Sequence, residues 1–106
     1  MDNFKAVYTI LTALEKCMDL PHANIEMFNA EALGVSEERW KKYIEMMLDC
    51  GYIKGVTINT YIDRTTVFNC NDIQITLKGL EYLQENSMMQ KVYKTVKGIK
   101  DIVPGM

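Results

Sequence analysis

Residues 29–59 run NAEALGVSEERWKKYIEMMLDCGYIKGVTIN, and their reading decides the fold. Asn29 suits the N-cap of a one-turn helix over Ala30-Glu31-Ala32-Leu33. Gly34 can close that helix in the left-handed conformation that helix ends favour. Ser36 then caps a longer helix running to about Cys50, with Glu37 and Glu38 in the first turn, where the helix dipole favours negative charge. Trp40, Ile44, Met47 and Leu48 share one face, and Gly51 supplies the stop. Short helix, glycine-containing turn, longer helix is the order of a helix-turn-helix unit. Beyond Gly51 the period changes. Tyr52 to Asn59 is rich in β-branched and aromatic residues with partial alternation, which predicts a strand.

On the N-terminal side, Phe4, Val7, Tyr8, Leu11, Leu14 and Met18 recur at three- and four-residue steps and predict a helix from Asn3 to Met18. Pro21 cannot continue it, so Asp19-Leu20-Pro21 is its stop. His22 to Met27 is ambiguous, and the alternation of Ile25 and Met27 with Asn24 and Glu26 also fits a short strand. On the C-terminal side, Asp63-Arg64-Thr65-Thr66 is polar and turn-like. Val67 to Cys70 and Ile73-Gln74-Ile75 form the returning strand, interrupted at Asn71-Asp72, so the two strands make a hairpin. Thr76 caps a helix through about Asn86, with Leu77, Leu80 and Leu83 inward. A last helix follows from Ser87 to about Ile102, its stripe formed by Met88, Val92, Val96, Ile99 and Val103, and Pro104-Gly105-Met106 is a frayed end. The expected architecture is a single α+β domain over residues 1–106, mainly helical. It is a winged helix, a helix-turn-helix plus a β-hairpin wing, with an extra C-terminal helix at about 87–102.

The 106 residues suit one domain, and 48% hydrophobic residues can bury one core without metal or disulfide staples. The net charge of −2 counts against a dedicated nucleic-acid binder, although a local patch matters more than the sum. Charge is unevenly placed. Residues 1–35 hold two lysines against five acids, whereas residues 87–106 hold four lysines against Asp101 alone. Cys17, Cys50 and Cys70 form no C-x-x-C pair, and His22 is the sole histidine, so a zinc site lacks ligands and no metal is expected. Reduced thiols, no signal-peptide pattern and no apolar run approaching a membrane span together predict a cytoplasmic protein without membrane contact.

Nothing in the chain has the pattern of an active site, and no catalytic residue, cofactor or small-molecule substrate is expected. His22 stands beside Pro21 in a loop. Cys17 and Cys50 come late in helices, where the dipole disfavours a thiolate, and Cys70 lies in or beside a strand, so all three read as inert fillers. The carboxylate pairs Glu37-Glu38 and Glu81-Glu85 fall on helix surfaces, and the six glycines form no phosphate loop.

Three segments carry a family resemblance: Leu33-Gly34-Val35-Ser36, Gly51 to Val56, and Ile75-Thr76-Leu77-Lys78-Gly79 continuing to Ser87. With Met89, Lys91 and the lysine-spaced final helix, they make the chain resemble the YjcQ-like family of small bacterial and phage-borne proteins. The likeness spans nearly the whole chain and is most specific from Ile75 to Ser87. It implies a winged-helix-like fold and brings no catalytic residues with it.

The leading expectation for function is therefore a small DNA-binding or regulatory protein. In a helix-turn-helix the longer helix enters the major groove. Its exposed face here carries Glu38, Arg39, Lys42, Glu45, Met46 and Asp49. Arg39 could read guanine and Lys42 could hold phosphate, with Lys54 and Arg64 of the wing, and Lys78 beyond it, adding phosphate contacts on double-stranded DNA. The three acids oppose that reading, because each one erodes the electrostatic attraction on which DNA affinity rests. The alternative is a winged-helix module that binds protein and not DNA, through methionine-rich or final-helix surface. Lys91, Lys94 and Lys97 oppose the apolar stripe of the final helix, which is expected to cover the protein's own core or to pair two copies as a homodimer through the C-terminal helix.

Overall fold

Asp2 opens the first helix, its carboxylate accepting a hydrogen bond from the Lys5 amide at 2.8 Å. The computed structural model describes the backbone of residues 2–98 and the side chains of residues 2–87. Helix α1 spans Asn3–Lys16 and tightens into a 3-10 turn at Cys17–Asp19, short of Pro21. The ambiguous connection holds no strand. Asn24 accepts from the Glu26 amide and starts a second 3-10 turn, Ile25–Met27, because this local side-chain bond gives the backbone an alternative to pairing.

Helix α2 (Ala30–Leu33) is capped by Asn29 and closed by Gly34 at φ 71°. Helix α3 (Glu37–Cys50) is capped by Ser36, whose hydroxyl accepts from the Arg39 amide, and closed by Gly51 at φ 79°. Four short strands follow: β1 (Ile53–Lys54), β2 (Thr57–Thr60), β3 (Thr66–Asn69) and β4 (Gln74–Ile75). β2 and β3 pair antiparallel, Thr57 opposite Asn69 and Thr60 opposite Thr66, while β1 pairs with β4, Ile53 opposite Ile75. The expected interruption at Asn71-Asp72 is present and is matched across the ribbon by Gly55. At Gly55 φ is 83°, and a Cβ would lie 1.9 Å from the Asp72 carbonyl oxygen, so only glycine lets the two chains come this close.

The last helix differs from expectation. Leu77–Gly98 is one continuous helix, α4, where a break at Ser87 is expected from sequence. The Ser87 hydroxyl donates to the Gln84 carbonyl of the preceding turn instead of capping a new helix, and no glycine or proline stands between Gly79 and Gly98. The stripe from Met88 to Val103 and the Pro104-Gly105-Met106 end lie outside the described side chains. At the start of α4 the Thr76 hydroxyl accepts from the Gly79 amide, as a cap should. Leu77 nonetheless stays 74% exposed, because three-residue steps drift around a helix and leave it on the side away from Gly79. Gly79 faces the α3–β1 turn so closely that a Cβ would meet the Tyr52 carbonyl oxygen at 2.4 Å.

The core is built from Ile10, Leu11 and Leu14 of α1, Phe28 before α2, and Trp40, Tyr43, Ile44 and Met47 of α3, with Ile53, Ile73 and Ile75 closing it from the ribbon. On α1 the buried residues are Ala6, Ile10, Leu11, Ala13 and Leu14, so Leu11 and Leu14 lie inward as expected, while Phe4 and, beyond the helix, Met18, both expected inward, are exposed. The two alanines explain the difference, since small side chains let neighbouring elements approach more closely than the large apolar residues would. The result is an α+β fold, mainly helical, with two small antiparallel sheets.

Two glycine substitutions separate strain from collision. A Cβ at Gly34 meets nothing within 4 Å, so Gly34→Ala costs only the left-handed backbone, about 1–2 kcal/mol in urea unfolding. Gly55→Ala adds a backbone collision and costs roughly 2–5 kcal/mol. Equal losses at the two sites would contradict the close approach at Gly55.

Candidate nucleic-acid interface

Because Trp40, Tyr43, Ile44 and Met47 face the core, α3 presents the opposite side to solvent. Glu38, Lys42, Glu45 and Asp49 follow one another at steps of four, three and four residues, so they form a single exposed stripe down its centre. Lys42 thus stands between two carboxylates a helical turn away on either side. Met46 is 49% exposed beside them.

Arg39 lies at the edge of this stripe, in the first turn of α3, and is held there. Its Nη1 donates to Asn3 Oδ1 of α1 at 3.0 Å, and the Tyr43 hydroxyl donates to the same oxygen at 2.6 Å. One carboxamide oxygen therefore fixes both side chains. A guanidinium has five donors in a planar fork, so the rest of Arg39 remains open to solvent and to a ligand. Sequence reading misses Asn3, because nothing in the pattern links it to a residue 36 positions away.

The other edge of α3 belongs to the hairpin. Lys41 Nζ donates to the Thr66 carbonyl of β3 at 3.1 Å and stands 5.8 Å from the Phe68 ring centroid. Trp40 lies beside the same ring, centroids 6.4 Å apart, while its Nε1 donates to the Phe28 carbonyl at 2.7 Å. Lys41 is consequently a clamp between helix and hairpin, a role its neighbour Trp40 hints at but the sequence pattern does not reveal.

The two cations expected on a wing are far apart along the ribbon. Lys54 is exposed on β1, next to the end of α3, whereas Arg64 occupies the turn that joins β2 and β3. That turn is firmly built. The Tyr61 amide donates to the Thr65 carbonyl, the Arg64 amide donates to the Tyr61 carbonyl, and the Asp63 carboxylate accepts from the Thr65 amide. The Thr65 amide bond lowers the Asp63 pKa by stabilising the carboxylate. Arg64 takes a left-handed φ of 69°, uncommon for a residue with a side chain, and Ile62 beside it is fully exposed. Among the described residues, the side chains of Lys42, Lys54 and Arg64 have no hydrogen-bond or ion-pair partner.

The remaining reactive groups are scattered. Cys17 is buried with its thiol 3.8 Å from the Met27 sulfur, Cys50 is exposed at the end of α3, and Cys70 is half-buried, its thiol pKa raised by burial. His22 is exposed in the α1–α2 connection. Among the described residues no group of three or more His, Cys, Asp or Glu could hold a metal ion, and no helix is long and apolar enough to cross a membrane.

Two comparisons with known proteins found relatives of this chain. The family described as YjcQ protein matches residues 8–102 of the chain. A relative named Uncharacterized protein YjcQ, from Bacillus subtilis (strain 168), is 36% identical over 69 residues, which cover 65% of this chain and 70% of the relative. No solved structure matches.

Thiol reactivity checks the exposure of these elements. An aromatic disulfide reagent is expected to label Cys50 first and Cys70 more slowly. The Cys70 rate rises at a higher pH than that of an ordinary cysteine, because burial disfavours its thiolate. Cys17 reacts only when the chain unfolds, and labelling of Cys17 at the rate of Cys50 would contradict the packing of α1.

Proposed function

The chain belongs to the YjcQ family, and on that premise we propose that it is a winged-helix protein that binds duplex DNA with the exposed side of α3. The order α2, Gly34, α3, then an antiparallel hairpin, then α4 supports the fold assignment. The observation that carries the DNA reading is the fixed position of Arg39. Residues near the N-terminus of a recognition helix meet base edges, and a guanidinium held in place there loses little freedom when it meets guanine O6 and N7. Asn3 and Tyr43 supply that restraint. Lys42, Lys54 and Arg64 are the phosphate contacts in this reading, with Arg64 carried at the end of a rigid turn.

A second reading has its own observation. The stripe Glu38, Glu45 and Asp49 places three carboxylates where a DNA backbone would approach, and Met46 beside them offers apolar area. That chemistry suits a basic protein partner better than a phosphate backbone, and it makes a winged-helix interaction module the alternative. Neither reading assigns the chain an enzymatic step.

Binding of labelled random-sequence duplex, followed by fluorescence anisotropy, separates the two. Three cations on phosphates give a slope of about −2.7 in log K against log salt, so affinity falls by roughly fortyfold between ~50 and ~200 mM. Arg39→Ala together with Lys42→Ala weakens binding by about tenfold or more. Absence of binding at the low-salt end, or a double variant with unchanged affinity, rejects the major-groove reading and leaves the interaction module.

A further inference from the structure

The connection between α1 and α2 lies against the base of the hairpin and leaves a groove on each side of His22-Ala23. One, of about 200 Å3, runs between Cys17, Met18 and Leu20 on one wall and Ile73 and Ile75 on the other. The second, about 660 Å3 and more open, is bounded by Ile25, Val67, Phe68 and Cys70. Large apolar side chains around them remain in water. Met18 is 58% exposed, Leu20 51%, Val67 45% and Met27 41%. Two of these are methionines, whose flexible thioethers adapt to a partner's shape. Asp72 lines the first groove, and Glu15, Asp19 and Glu26 are exposed on the segments that lead into the connection or form it, against Lys16 and against Lys54 opposite the groove-lining Gln74.

The chain itself contains the complement of this surface. Residues 87–106 carry Lys91, Lys94, Lys97 and Lys100 with a single acid, Asp101, and their apolar residues Met88, Val92, Val96 and Ile99 recur at four- and three-residue steps. A basic amphipathic segment suits grooves of mixed polar and apolar lining with a surplus of acids on the neighbouring segments, in the helix-in-groove mode of recognition. The donor must be another molecule. Ile75 lines the groove, and α4 starts at Leu77 and runs unbroken to Gly98. At about 1.5 Å per residue a rigid helix carries Lys91 about 20 Å from its own start, so this segment cannot return to the groove where its helix begins.

We propose that the grooves flanking His22-Ala23 receive the lysine-rich C-terminal segment of a second copy of this chain. The exchange is reciprocal. Each copy gives one segment and accepts one, which closes a two-fold dimer. This surface is separate from the exposed stripe of α3, so the inference stands whether or not the protein binds DNA.

A charge-swap experiment in the full-length chain tests it. Sedimentation equilibrium at about 100 µM is expected to find a dimer that weakens as salt rises. The tail variant Lys91→Glu with Lys94→Glu and Lys97→Glu, and the rim variant Asp19→Lys with Glu26→Lys, each place like charges together and weaken self-association by roughly a hundredfold. Mixed one to one, the two variants restore both contacts and form a heterodimer, while circular dichroism verifies that each is folded. A monomeric wild type at that concentration overturns the proposal. So does a dimer that persists in the folded variants, or a mixture that stays monomeric.

Discussion

The indole of Trp40 joins three parts of the chain that are distant in sequence. The residue is 5% exposed within the core, its Nε1 donates to the Phe28 carbonyl ahead of α2, and its ring lies beside that of Phe68 of β3, tilted by 53°. A buried N–H needs a partner, and here the partner is a backbone carbonyl that would otherwise be left unpaired beside α2. The angular position of α3 therefore depends on this residue. Rotating the helix would break the hydrogen bond, open the contact with the hairpin and expose Tyr43, Ile44 and Met47 together. Lys41, one position on, adds a second tie through the Thr66 carbonyl. With one side of α3 fixed in this way, the residues that reach solvent on the other side are fixed as well.

That outer side carries opposing chemistry. Its centre is acidic, and its one well-restrained cation lies at the edge, where α1 reaches it through Asn3. A protein that holds DNA mainly by phosphate neutralisation would carry cations along the stripe, and this one carries Lys42 among three acids. Binding through α3 would accordingly rest on a few placed contacts, chiefly Arg39, with modest salt dependence. The same acids weaken nonspecific attachment to nucleic acid relative to a freely basic helix.

Most of the element order was legible because local signals were strong and unopposed. Asn29 with Gly34, and Ser36 with Gly51, bracket their helices as their cap chemistry requires. The exposed face of α3 follows from Trp40, Ile44 and Met47, and each residue expected on it is exposed. What sequence reading missed depends on partners remote in the chain. Ser87 has the chemistry of a cap, but it bonds backward to Gln84 because no breaker ends α4 there. The α1 stripe was read from its large residues, of which Leu11 and Leu14 are buried, while packing also selected Ala6 and Ala13. The ties from Asn3 to Arg39 and from Lys41 to Thr66 join positions 36 and 25 residues apart, and no periodicity encodes them. Lys54 and Arg64 were legible as cations of the strand region, but their separation along the ribbon was not, since it depends on the break at Gly55.

The most direct measurement is amide chemical-shift mapping of the isotope-labelled protein titrated with duplex DNA at low salt. Binding through α3 perturbs the amides around Arg39 and Lys42, the Arg64 turn, and Asn3 on α1 through its tie to Arg39. Shifts confined to the α1–α2 connection, or no shifts at saturating duplex, would contradict it.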